Sequence, residues 1–94
     1  MAEPIVTLEE AKGYLRVDFE DDDALIEELV ETATRLAADA ARMTPARLAR
    51  HSRLAKTAVL YATAYLYERR DSADSQKLAL SLRALLAGIR RSVF

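Results

Sequence analysis

His51 is the only histidine in the 94-residue chain. An imidazole exchanges its proton near neutral pH, so a lone histidine is the first place to look for a general base. Here it sits in Arg50-His51-Ser52-Arg53, among positive charges, and reads better as a solvated residue at a helix break. Glu20-Asp21-Asp22-Asp23 is an acidic cluster that invites a metal. A calcium loop needs alternating oxygen ligands, a glycine turn and a distant glutamate, and that spacing is absent. The cluster reads instead as a charged helix start. Arg47, Arg50, Arg53 and Lys56 form a third group. Three-residue steps drift around a helix, which makes this a broad basic patch. Nucleic-acid binding is one use of such a patch. A solvated face, or a face that meets the acids of another subunit, fits better with a net charge of −1.

No nucleophile–base pair can be assembled from these residues. There is no cysteine, which excludes disulfides and Cys-based metal sites, and no Gly-rich loop to cradle a phosphate. The reading is of a chain that is not an enzyme and has no cofactor, no metal and no small-molecule substrate. No secretory signal is visible at the N-terminus. The apolar run Leu60–Tyr67 spans eight residues, against the roughly 20 a membrane-spanning helix needs, so no membrane partner is expected.

The elements that position these groups are helices. Alanine occurs 18 times and leucine 14, while Gly and Pro occur twice each. Residues 1–6 look extended. Thr7-Leu8-Glu9-Glu10 fits a capping box, opening a short helix to about Leu15. A longer helix opens at Glu20–Asp23. Its apolar positions Leu25, Ile26, Leu29, Val30, Ala33, Leu36, Ala37 and Ala40 recur at three- and four-residue steps, with Glu27, Glu28, Glu31 and Arg35 opposite. Thr44-Pro45 signals a third helix running to about Arg70, with the one allowed interruption near His51-Ser52. Asp71–Asp74 forms a turn. A fourth helix carries Leu78, Leu82, Leu85, Leu86 and Ile89 and ends in Arg90-Arg91. The expectation is an all-α fold of four helices in a single domain over residues 1–94. Tyr61 and Tyr65 share a face with Leu54 and Ala58 and are expected in the core. Tyr67, beside Glu68, Arg69 and Arg70, is a candidate subunit contact.

Charge divides the chain. Residues 1–42 hold twelve acids and four bases, a balance of −8; residues 43–94 hold three acids and ten bases, a balance of +7.

Two blocks carry a resemblance. Thr7-Leu8-Glu9-Glu10-Ala11-Lys12-Gly13-Tyr14-Leu15-Arg16-Val17-Asp18, followed by Asp21–Leu29, is similar to the opening of the small helical head–tail connector (adaptor) proteins of tailed phages. Ala58–Ala62 and Tyr65-Leu66-Tyr67-Glu68-Arg69-Arg70 resemble the same family's central helix, and the leucine-rich stretch Leu82–Arg91 stands where that family ends. Met43–Arg53 is richer in Arg and Ala than the family pattern, and the last helix lacks its proline. The resemblance implies a structural virion or prophage protein without catalysis. It implies a homo-oligomeric ring of about twelve copies, and such a ring needs a heterologous interface. Its implied partners are other copies of itself, the portal protein above, tail-completion or tail proteins below, and DNA that passes through without sequence-specific binding. The implied location is the head–tail junction of the virion, after assembly in the bacterial host cytoplasm. The charge split suits such a ring. Candidate interface residues are Asp21, Asp22, Asp23, Glu27, Glu28 and Glu31 on one side, with Arg47, Arg50, Arg53, Tyr67, Arg69 and Arg70 on the other. Two rival readings stand beside it: a small helical DNA-binding regulator that uses the Arg47–Lys56 patch, and a dimeric helical interaction module.

Overall fold

The structure, a computed structural model, describes residues 4–69, 72 and 74–88. Among them, every regular element is an α-helix: α1 (Leu8–Leu15), α2 (Asp23–Ala41), α3 (Pro45–Leu48), α4 (Ser52–Glu68) and α5 (Ser75–Leu85). The all-α expectation holds.

Three helices begin at side-chain caps. The Thr7 hydroxyl accepts from the Glu10 backbone N–H at 3.1 Å, and the Glu10 carboxylate accepts from the Thr7 N–H at 3.0 Å. This is the expected capping box, which satisfies two backbone donors at once. Thr44 caps α3 by accepting from the Arg47 N–H at 3.2 Å, with Pro45 in the first turn. Asp74 caps α5 by accepting from the Gln76 and Lys77 N–H groups at 3.0 and 3.1 Å. In α2 only Asp23 enters the first turn, so Glu20–Asp22 precede the helix rather than open it.

One expected interruption is found and one expected boundary is corrected. The helix that starts at Pro45 is divided near His51-Ser52, where the sequence allowed a break. After four residues the chain tightens, with Arg50 N–H on the Arg47 carbonyl and His51 N–H on the Leu48 carbonyl, at 3.1 and 2.9 Å. Such i→i−3 bonds end a helix. The cause lies in the burial pattern. Leu48 is fully buried, whereas Ala49, Arg50, His51, Ser52 and Arg53 are all exposed and have nothing to hold them against the core. His51 stands at that break, as its surroundings suggested. The last helix closes at Leu85, followed by a turn over Leu86–Gly88. Ile89, Arg90 and Arg91 lie outside the described residues, as do Arg70, Asp71 and Ala73.

α1 and α2 both end on arginine in the left-handed conformation, Arg16 at φ 60° and Arg42 at φ 58°. In each case the next residue reaches back five positions: Val17 N–H to the Lys12 carbonyl at 2.9 Å, and Met43 N–H to the Ala38 carbonyl at 3.0 Å. Each is a Schellman-type ending, a place where glycine is usual. Val17 is buried and Met43 packs on the core, supplying the apolar contact that accompanies the motif.

The core sits where α2 packs along α4, with α5 laid across both. α2 contributes Ile26, Val30, Ala33 and Ala37; α4 contributes Ala55, Ala58, Val59 and Ala62; α5 contributes Leu78 and Leu82. Alanine on both sides of the α2–α4 contact leaves little side-chain bulk between the two backbones. Thr63 is buried too, and its hydroxyl donates to the Val59 carbonyl at 2.7 Å, so no polar group is stranded there.

The tyrosines divide otherwise than expected. Tyr65 does pack against the core, and its hydroxyl accepts from the Asp74 N–H at 3.2 Å. Tyr61 is 36% exposed, which corrects its placement in the core. The buried stripe of α4 centres on Ala55 and Ala62, and at 3.6 residues per turn Tyr61 lies about 120° from it. Sharing a face with Leu54 was not enough, because Leu54 itself lies at the edge of that stripe and is only partly buried.

Candidate assembly surfaces

The acidic candidates separate into two groups. Asp22 and Asp23 are committed within the chain. The Tyr67 hydroxyl donates to Asp22 Oδ2 at 2.6 Å, and Lys12 Nζ pairs with Asp23 Oδ1 at 2.7 Å. Glu31 is held by Arg35 at 2.9 Å, one turn along α2. Asp21, Glu27 and Glu28 are exposed and make no ion pair among the described residues.

The basic candidates divide similarly. Arg47, Arg50 and Arg53 are exposed around the α3–α4 turn and have no ion-pair partner among the described residues. Lys56 reaches across to the Glu10 carboxylate. That pairing, more than the Thr7 backbone hydrogen bond, holds the Glu10 carboxyl below its ordinary range. Arg69 lies 4.8 Å from the centre of the Tyr65 ring and 4.0 Å from Glu68. Arg70 lies outside the described residues. Tyr67, read from sequence as a subunit contact, is half-buried and points its hydroxyl at Asp22.

Three surface recesses distribute these charges. A groove of about 610 Å³ runs between the Pro4–Val6 segment, α2 and α3, and is lined by Glu27 and Glu31 among mainly apolar side chains. A cleft of about 540 Å³ between α1, α4 and α5 gathers Tyr14, Tyr61, Tyr65, Glu68, Arg69 and Lys77. A third recess, of about 670 Å³, brings Arg35, Asp39, Arg42 and Arg47 together beside Met43. Glu27 and Glu31, Arg69, and Arg47 therefore line three different recesses, and the fold does not bring these acids and bases together.

Sequence reasoning missed the first groove, because its apolar lining comes from three segments far apart in the chain. It also missed Leu80, Lys77 and Arg83. Their signal was present: Leu80 falls out of step with the Leu78–Leu82 stripe and has a cation three residues away on each side. Among the described residues no group of His, Asp and Glu is placed to hold a metal, and no helix is long and apolar enough to cross a membrane.

Fold and surface together define a small all-α packing unit whose three recesses each carry charges of both signs. Residues 5–91 match the family model described as Phage gp6-like head-tail connector protein. The chain belongs to that family, as its Thr7–Asp18 and Ala58–Arg70 blocks suggested. The family's role is structural, in joining other phage head and tail proteins. Searches of curated proteins and of solved structures each return no match.

Proposed function

We propose that the chain is the repeating subunit of a ring that sits beneath the portal and joins the DNA-filled head to the tail. In this reading residues 1–94 act as one helical domain without catalysis. The subunit is built into the virion after assembly in the host cytoplasm, and DNA passes through the ring without being read. One observation carries the proposal: exposed charges of opposite sign, Asp21, Glu27 and Glu28 before and along α2 against Arg47, Arg50 and Arg53 around the α3–α4 turn, have no ion-pair partner among the described residues. Unlike surfaces on one subunit suit a head-to-tail contact, which closes into a ring when the rotation permits. Complementary charge also speeds and orients such an encounter.

Loss of the protein tests this in the phage or prophage that encodes it. A nonsense mutation early in the gene should leave DNA-filled heads and finished tails unjoined, seen side by side in electron micrographs of the lysate. Normal tailed particles from that mutant would contradict the proposal.

A further inference from the structure

The outer side of α5 and the groove beside α2 match in polarity and in charge. Leu80 is 63% exposed, although it lies between Leu78 and Leu82, which are 1% and 0% exposed. Those two face the core, and Leu80 points away from it. Lys77 and Arg83 stand three residues before and after it, both exposed and with no ion-pair partner among the described residues. Each three-residue step turns back by about 60°, so Lys77 and Arg83 flank Leu80 on either side across an arc of about 120°. A solvent-facing leucine between two unpaired cations contributes nothing to the subunit's own core. It has the form of an anchor with a charged flank.

The groove has the opposite character. Ile5, Leu8, Val30 and Pro45 supply apolar lining, and Glu27 and Glu31 supply negative charge one turn apart on α2. Arg35 of the same lining pairs with Glu31 at 2.9 Å, so Glu27 is the groove acid without an ion-pair partner among the described residues, and Glu31 meets an incoming cation by sharing or releasing Arg35. No residue of α5 is among those that line it.

We propose that α5 of one copy docks in this groove of the next, with Leu80 as the apolar anchor and Lys77 and Arg83 facing Glu27 and Glu31. This rests on the self-assembly reading above and names the surfaces through which assembly occurs. Lys77 and Arg83 lie about 9 Å apart along the helix axis, and Glu27 and Glu31 about 6 Å, a mismatch that the long basic side chains bridge. An amphipathic helix seated in an apolar groove is a common recognition mode, read through anchors on one face. The alternative, α5 against α5 across a two-fold axis, would oppose four cations and is disfavoured. Because helix and groove are different surfaces, each copy offers one of each. The contact therefore propagates from copy to copy.

The chain has no native cysteine, so introduced pairs report unambiguously. Leu80→Cys is combined in one chain with either Ala46→Cys or Ala49→Cys, both exposed at the groove. Oxidation at a concentration where light scattering shows association should give a ladder of covalent oligomers. Mixed single variants should give only the cross-pair between Leu80→Cys and a groove variant. Leu80→Glu should weaken association at least about tenfold with helicity unchanged, the loss expected for one interface anchor. Association without either cross-pair, or disulfides formed between two Leu80→Cys chains, overturns the docking surfaces and leaves self-assembly standing. A chain that stays monomeric up to millimolar concentration, with portal protein as without it, overturns both.

Discussion

The Tyr67 hydroxyl donates to Asp22 Oδ2 at 2.6 Å, joining the end of α4 to the residue that precedes α2, 45 positions away in sequence. One residue further on, Asp23 pairs with Lys12 of α1 at 2.7 Å. Two neighbouring acids thus tie the start of α2 back to α1 and across to α4. Part of the acidic cluster serves the fold, and Asp21, Glu27 and Glu28 have no ion-pair partner among the described residues.

Tyr67→Phe should destabilise the chain by about 1–2 kcal/mol, because it leaves a half-buried carboxylate without its donor. Asp22→Asn keeps an acceptor at the same place and should cost clearly less. Urea unfolding of both variants checks this, with an unchanged slope confirming that compactness is preserved. Equal costs would mean that the hydroxyl–carboxylate bond is not what matters at this position.

Two leucines two residues apart should behave oppositely. Leu82→Ala empties a fully buried site and should cost about 2–4 kcal/mol. Leu80→Ala changes an exposed side chain and should stay within about 0.5 kcal/mol in the monomer. Thermal unfolding at a dilution where the chain is monomeric separates them. A large monomer effect for Leu80→Ala would place that side chain in the core and remove it as an anchor.

Arg42 holds φ 58°, a left-handed conformation that costs a non-glycine residue roughly 1–2 kcal/mol. Glycine removes that cost, and its freer unfolded chain returns roughly 0.5–1 kcal/mol. Arg42→Gly should therefore stabilise the fold by up to about 1 kcal/mol. A fall in melting temperature would show that the arginine makes a contribution larger than its strain.

Glu10 carries a pH dependence. Its carboxyl is held below the ordinary range, first by Lys56 and then by the Thr7 backbone N–H. A depressed folded value means that the ionised form favours the folded state. This contribution is complete above the ordinary glutamate range and disappears as pH falls through the lowered folded value. Wild type should thus melt above Glu10→Gln near neutral pH, and the gap should close in acid. A gap that persists at a pH where Glu10 is protonated in both states would mean that the ion pair is not its source.

The local elements were legible because their signals are local. The Thr7–Glu10 capping box, the Thr44-Pro45 start and the period of α2 each depend on residues within a turn or two of one another. What was not legible depends on tertiary packing. The break near His51 was readable from its charged surroundings, but the burial of Leu48 just before it was not, because Leu48 is drawn into the core by packing far from it in sequence. Tyr61 and Tyr65 read alike, and only the placement of α5 and Asp74 gives Tyr65 a partner. The arginine endings at Arg16 and Arg42 lack the glycine that signals a left-handed cap. Of the candidate interface residues, sequence gave the charges but not their commitments: Asp22 and Asp23 find partners 45 and 11 positions away, and those partners bear no local mark.

Electron microscopy of the purified chain, alone and with portal protein, at low and high salt, tests the central claim most directly. Closed rings of a single rotational symmetry are the expected result at low salt. They should dissociate as salt approaches 1 M, where charges are screened beyond about 3 Å. A two-fold dimer at every concentration and salt, unchanged by portal protein, would contradict ring assembly.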